Sequence, residues 1–220
     1  SSLAISSSGV LTFGTAPDYE TKTSYSINVE VSDETETTTQ AATINITNLN
    51  DNNPSISSGA SFSANENQTS IGSVNAADAD GDSLSYSLSG TDASSLAISS
   101  SGAITFGSAP DYETKTSYSA TVSVTDGSNA VTQSLTITVV NLNDNNPAIS
   151  SGATFSAAEN QTAIGSVTAS DADGDSLSYS LGGTDASSLA ISSSGVITFG
   201  TAPDYETKTS YSVTASVTDG

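Results

Sequence analysis

The sequence contains no cysteine, methionine, tryptophan or histidine. It has three lysines, Lys22, Lys115 and Lys208, and no arginine. Without cysteine there are no disulfides and no thiolate metal sites. Without cysteine and histidine, zinc loses its preferred ligands, whereas hard cations that favour oxygen keep theirs. Twenty-four acids face those three lysines, giving a formal net charge of −21. Such a charge repels nucleic acid and anionic membrane surfaces and selects for cations. No apolar run is long enough to cross a membrane, and the N-terminus does not read as a signal peptide. A surplus of Ser, Thr, Asn and Asp fits a secreted or surface protein.

Only 35% of residues are hydrophobic, a composition shared with disordered chains. Two features oppose disorder: the apolar residues alternate, and the acids recur at fixed places. SSLAISSSG begins at Ser1, Ser94 and Ser187; APDYETKTSYS begins at Ala16, Ala109 and Ala202; NLNDNNP begins at Asn48 and Asn141. Every copy follows the last by 93 positions. A fixed period means one structural unit repeated, and at this length the unit is a domain. Dividing before each linker proline makes residues 54–146 one complete repeat. Residues 1–53 are the C-terminal part of a preceding repeat, and 147–220 the N-terminal part of a following one. The chain therefore reads as an excerpt from a longer array; strand exchange between copies is the alternative.

Within the complete repeat the apolar period is two. Tyr118, Ala120, Val122 and Val124 share one strand face, as do Leu135, Ile137 and Val139 on another strand. Leu84, Tyr86 and Leu88, Ile104 with Phe106, Leu96 with Ile98, and Phe62 continue the pattern. Ile71 and Val74 break it, which predicts a bulge. No segment carries a helical stripe. About seven short strands with turn signals between them predict an all-β antiparallel sandwich.

The nine acids of residues 54–146 fall at strand ends and loops: Glu66, Asp78, Asp80, Asp82, Asp92, Asp111, Glu113, Asp126 and Asp144. Acids two apart in an irregular loop, as in DADGD, can point at one centre. Calcium takes six to eight oxygens, amides and carbonyls included, which gives an asparagine-rich linker a purpose. DADGD is not an EF-hand: counted from Asp78, the glycine and bidentate acid positions hold Ser83 and Ser89. An isolated aspartate in a turn is ordinarily a solvated cap, and Asp92 and Asp185 read that way. Asp82 and Asp175 stay open between ligation and solvation. Tyr19, Tyr112 and Tyr205 are expected to pack beside the DYE acids. The Asn-x-Thr triplets at Asn45, Asn67 and Asn160 match a glycosylation acceptor and read as accidental.

The ordered set AEN, DAD, DYE, VTD and NLNDNNP, repeated at constant period, resembles the cadherin repeat, and the short DADGDSLSYSL loop is similar to bacterial cadherin-like repeats of giant surface adhesins. Two positions depart from the family's pattern. Asn48 and Asn141 stand where the linker's first acid would be, and Tyr112 replaces the arginine of the D-R-E motif. The resemblance implies tandem seven-stranded Greek-key sandwiches of cadherin or immunoglobulin type, with about three calcium ions at each inter-repeat junction.

For the second junction it implies Glu66, Asp111 and Glu113 from upstream. The linker would add the Leu142 carbonyl, Asn143, Asp144 and the Asn145 carbonyl, and the downstream repeat Asp171, Asp173 and Asp219. At the first junction the equivalents are Asp18, Glu20, Leu49, Asn50, Asp51, Asn52, Asp78, Asp80 and Asp126. Asp33, Glu159, Asp204 and Glu206 would serve junctions outside this chain. Metal would then couple to stiffness and stability. The implied role is a calcium-rigidified extracellular extender or filament on a bacterial cell surface. Its partners would be calcium ions, neighbouring repeats of the same chain and other copies in a filament or homophilic contact. The alternatives are direct homophilic or carbohydrate-binding adhesion, or an accessory module of a large secreted enzyme. The crowding of acids at a domain end, without a cleft signal, argues against catalysis by the chain itself.

Overall fold

The computed structural model describes residues 2–220. It divides into two compact units, one built from Ser1–Ala64, Gln68–Ala109 and Ser117–Thr138, the other from Asn65–Asn67, Pro110–Thr116 and Val139–Gly220.

In the first unit, Leu3–Ile5 pairs with Leu11–Phe13, and Ser24–Ser32 with Thr37–Asn45, both antiparallel. Residues from Ser61 to Val140 form two facing sheets. One holds Ser61–Asn65, Ala130–Val140, Ser117–Thr125 and Ser85–Ser89 in that order; the other holds Leu96–Ile98, Ala103–Phe106 and Ser70–Ser73. Seven strands in a non-sequential order make a Greek-key sandwich, as the alternation predicts. The bulge falls where expected. Ile104 pairs with Gly72 and Thr105 with Ser70, leaving Ile71 as the extra residue.

The alternating apolar residues meet between these sheets. Val74, Leu96, Ile104, Phe106, Ala120, Val122, Val124, Leu135 and Ile137 are buried. Each large aliphatic side chain so placed contributes about 1.5–3 kcal/mol, which matters in a core without tryptophan or methionine. Phe106 meets Tyr118 edge-on with centroids 5.0 Å apart, and the pairs Phe13–Tyr25 and Phe199–Tyr211 repeat that geometry. Phe62 lies over Gly72, where a Cβ would approach its ring to 2.8 Å. Glycine at 72 is therefore what admits the ring.

In the second unit, Leu189–Ile191, Val196–Phe199 and Ala163–Ser166 form one sheet, and Ser178–Gly182 pairs with Thr214–Thr218. Val167 and Ile197 are buried there. Short 3₁₀ turns at Ala93–Ser95 and Ala186–Ser188 are the helical elements among the described residues.

Gly102 shows how tightly one loop is set. Its φ is +82°, and an added Cβ would stand 2.2 Å from the Val74 carbonyl oxygen. Gly127 has a φ of +99° but open space around it. Gly102→Ala should therefore cost more than ~2 kcal/mol, against about 1 kcal/mol for Gly127→Ala. Thermal melts of the two variants check this; equal losses would mean that the loop, not the packing, sets the cost.

Candidate metal centre

Two linkers of identical sequence are held by the same interactions, one in each unit. In the first, the Asp51 and Asn52 amides donate to Asp80 Oδ2 at 3.0 and 2.8 Å. The Asn52 side-chain amide donates to Asp80 Oδ1 at 2.9 Å and to Asp51 Oδ1 at 3.0 Å. Asn48 Nδ2 donates to the Asp80 carbonyl at 2.7 Å. Asp80 is only 9% exposed. Its loop turns at Gly81, with φ +79°, and is closed by the Asp80 and Asp82 amides donating to Asp78 Oδ1. The i, i+2 spacing thereby brings Asp78, Asp80 and Asp82 together, while Glu20 and Asp51 join Asp80 on the linker side.

The second linker repeats this arrangement. The Asp144 and Asn145 amides donate to Asp173 Oδ2 at 3.1 and 2.9 Å, and Asn141 Nδ2 donates to the Asp173 carbonyl at 2.8 Å. Asn145 Nδ2 reaches three carboxylates: Asp144 at 2.7 Å, Asp173 at 2.9 Å and Glu113 at 3.3 Å. Glu66 is 2% exposed and accepts from the Tyr112 amide at 2.8 Å and the Leu142 amide at 2.7 Å. A buried carboxylate needs such donors, and here they tie the DYE segment to the linker. Glu66, Glu113, Asp144 and Asp173 converge with carboxylate oxygens within 4.8 Å of one another, and Asp171, Asp173 and Asp175 form an adjoining group.

Electrostatics separate the members. The Asn145 amide holds Asp173 below the ordinary aspartate range, and the Asn52 amide does the same for Asp80. Glu113 is pushed up by partial loss of hydration, with repulsion from Glu66 and Asp173 adding to it.

The groups suit a hard cation. Asp78 Oδ2, Asp171 Oδ2 and Asn141 Oδ1 are buried and have no hydrogen-bond partner. Donorless buried oxygens beside clustered carboxylates are costly unless a cation meets them. All the ligand atoms on offer are oxygens, the set that calcium takes.

Several expected ligands stand apart from these groups. Asp111 and Asp18 accept from Thr114 and Thr21 and close their own turns. Asp33 does the same for Thr35 and Glu36. Asp126 accepts from Ser128 and Asn129, although its carbonyl accepts from Asn50 Nδ2 at 3.4 Å beside the linker. Asp219 joins no acid group among the described residues. Glu159, Asp204 and Glu206 form an exposed group.

Asp92 and Asp185 are not turn caps. The Ser119 amide donates to Asp92 at 2.8 Å and the Ser212 amide to Asp185 at 2.7 Å, so each acid ties its turn to a segment 27 residues away. Lys208 adds an ion pair to Asp185. Tyr112 is half-buried as expected beside the acids, whereas Tyr205 is exposed.

The sequence does not show the hydrogen bonds of four asparagines. Asn48 and Asn141 use amides where an acid was expected, Asn67 donates to Asp144, and Asn129 donates to Asn50 at 3.5 Å. The recurrence of Asn67 at Asn160 is the sequence signal for the third, and both residues have positive φ in the structure.

Comparison with known proteins agrees with the fold. Residues 60–141 match the family described as Cadherin domain. The structure is similar to human protocadherin-24 EC1-2, with 27% identity over 71% of this chain and 81% of that one, at a TM-score of 0.62. It is similar in fold to mouse cadherin-23 EC22-24, with 23% identity, 99% and 77% coverage and a TM-score of 0.69. It also resembles the protocadherin gammaB7 EC3-6 cis-dimer structure, with 23% identity and a TM-score of 0.79, covering 96% of this chain and 58% of that one. No curated protein matches the sequence. The chain is cadherin-like in fold, and its residues 60–141 match the cadherin-domain family model. Among the described residues no helix is long and apolar enough to cross a membrane.

Proposed function

We propose that this chain is a calcium-rigidified spacer in an extracellular adhesive protein, an extender or filament segment on a bacterial cell surface. The observation that carries the reading is the pair of linkers. In each, acids distant in sequence converge on the linker's own aspartate, next to buried oxygens that no donor satisfies.

Glu66, Glu113, Asp144, Asp171, Asp173 and Asp175 would hold calcium at the second linker, and Glu20, Asp51, Asp78, Asp80 and Asp82 at the first. The Leu49, Asn52, Leu142 and Asn145 carbonyls, the Asn50 and Asn143 side chains, and Asp18, Asp111, Asp126 and Asp219 complete the proposed sets, with about three ions per junction. Bound calcium supplies the positive charge that offsets the carboxylate repulsion. The protein's part is to fix the linker backbone through Asp80, Asp173 and Glu66, so that its acids face one way. On this reading residues 1–53, 54–146 and 147–220 are successive repeats of an array. Near-identity between copies suits length and stiffness better than varied recognition, and no catalytic step is assigned to the chain.

A pair of variants tests the assignment. Asp144→Ala should weaken calcium binding by about tenfold or more and leave melting in chelator unchanged. Asp92→Ala removes the side-chain hydrogen bond to Ser119, leaving the backbone one, and should lower the melting temperature by roughly 4 °C with or without calcium. Calorimetric titration and paired melts read both. Equal calcium affinity in the two variants contradicts the site.

A further inference from the structure

The asparagine that ends each acidic linker occupies an unusual place. Asn145 Nδ2 lies within hydrogen-bond distance of three carboxylates, on Glu113, Asp144 and Asp173. Three negative groups share this neutral donor, with Asn67 donating to Asp144 as well, where like charges alone would drive them apart. Asn52, in the other unit, makes the same contact with two, Asp51 and Asp80. The arrangement arises twice, so it is a property of the linker rather than of one loop. The backbone adds to it, because the amides of residues 144 and 145 share the second oxygen of Asp173.

We propose that Asn145, and Asn52 likewise, is a positioning residue whose side-chain amide clamps the acids of the metal-free junction together. The clamp keeps the cation site assembled before a cation arrives. This deepens the calcium reading above and rests on it for its purpose, though the clamp acts without metal. The physical argument is one of charge and hydrogen bonding. Converging carboxylates repel, and without a donor between them the linker would open. A primary amide has two N–H bonds and no charge. It joins two or three carboxylates without competing as a full cation would. The cation then meets ligands already gathered, which reduces the ordering cost of binding. Because Asn145 gathers three acids and Asn52 two, the second junction depends more on its clamp than the first.

Asn145→Asp is the informative variant, since it keeps the shape and replaces the N–H donors with a carboxylate oxygen. Hydrogen exchange of the full chain, read by mass spectrometry, separates the linkers by their flanks, Ile46–Thr47 against Val139–Val140. In chelator, Asn145→Asp should speed exchange of the Leu142–Asn145 amides about tenfold, with the first linker unchanged. Asn52→Asp should do the same, more weakly, at the first. Asn145→Ala should show a smaller acceleration than Asn145→Asp, because it removes the donor without adding charge. Excess calcium should restore protection in Asn145→Asp. Asn146→Asp, in the same linker but outside the acid groups, serves as the control and should change nothing.

Wild-type exchange in Asn145→Asp under chelator would overturn the clamp and reduce the residue to a space filler. Equal acceleration in Asn146→Asp would overturn it too, by making the effect one of net charge. Wild-type exchange that calcium leaves untouched, together with faster exchange in Asn145→Asp, would sink the calcium reading and leave the clamp standing.

Discussion

Chelation should lower the melting temperature of the full chain by roughly ten degrees. With calcium at about 1 mM and a dissociation constant near 0.1 mM, typical of extracellular modules, each ion contributes ~1.4 kcal/mol by mass action. About three ions at one junction then contribute ~4 kcal/mol, and a chain of this size loses about 2–4 °C per kcal/mol. Chelation should also broaden the distribution of end-to-end distances seen by X-ray scattering. The acids that converge at each linker would repel, and what holds it would be the hydrogen bonds to Asp80 in one unit and to Asp173 and Glu66 in the other. Differential scanning calorimetry and scattering with and without chelator measure both effects. An unchanged melt together with unchanged scattering rejects the account.

The second large effect concerns Asp173. It accepts from the Asp144 amide, the Asn145 amide and the Asn145 side chain, and it belongs to both acid groups of its linker. On the calcium reading its loss would remove a ligand and release the backbone that aims the others. Asp173→Ala should therefore weaken calcium binding at the second junction by about a hundredfold, more than Asp144→Ala, and loosen the linker even in excess calcium. Asp80→Ala should do the same at the first junction, since Asp80 makes the equivalent contacts. Calorimetric titration of the three variants ranks them. If Asp144→Ala proved the worst, the linker acid rather than the DAD loop would be the organising group.

Much of this was legible in the sequence. The period-two pattern of Tyr118–Val124 and Leu135–Val139 determines which side chains reach the core. The irregular spacing of Ile71 and Val74 marks the bulge. The DAD spacing and the linker repeat single out Asp51 with Asp80, and Asp144 with Asp173, as acids that converge at each linker. What the sequence could not carry was context. Leu11, Ile104 and Ile197 sit at equivalent places in the repeat, yet Leu11 is 38% exposed while Ile104 and Ile197 are 1% and 3% exposed. Burial depends on which strands lie opposite, and nothing local to the LTF or ITF triplet states that. Asp92 was read as a local cap because local hydrogen bonds are what sequence spacing suggests. Its actual partner, the Ser119 amide, is 27 residues away. The donor role of the Asn52 and Asn145 side chains escapes the sequence for a related reason. An amide in a linker is neutral and common, and only the folded chain shows that Asn52 and Asn145 point at carboxylates.

The central claim is that the acids at the two linkers are calcium sites. Crystals of this chain grown in calcium and measured for anomalous scattering test it most directly. The account predicts peaks between Asp51 and Asp80 and between Asp144 and Asp173, absent after a chelator soak. A map with no anomalous density at either linker would contradict it.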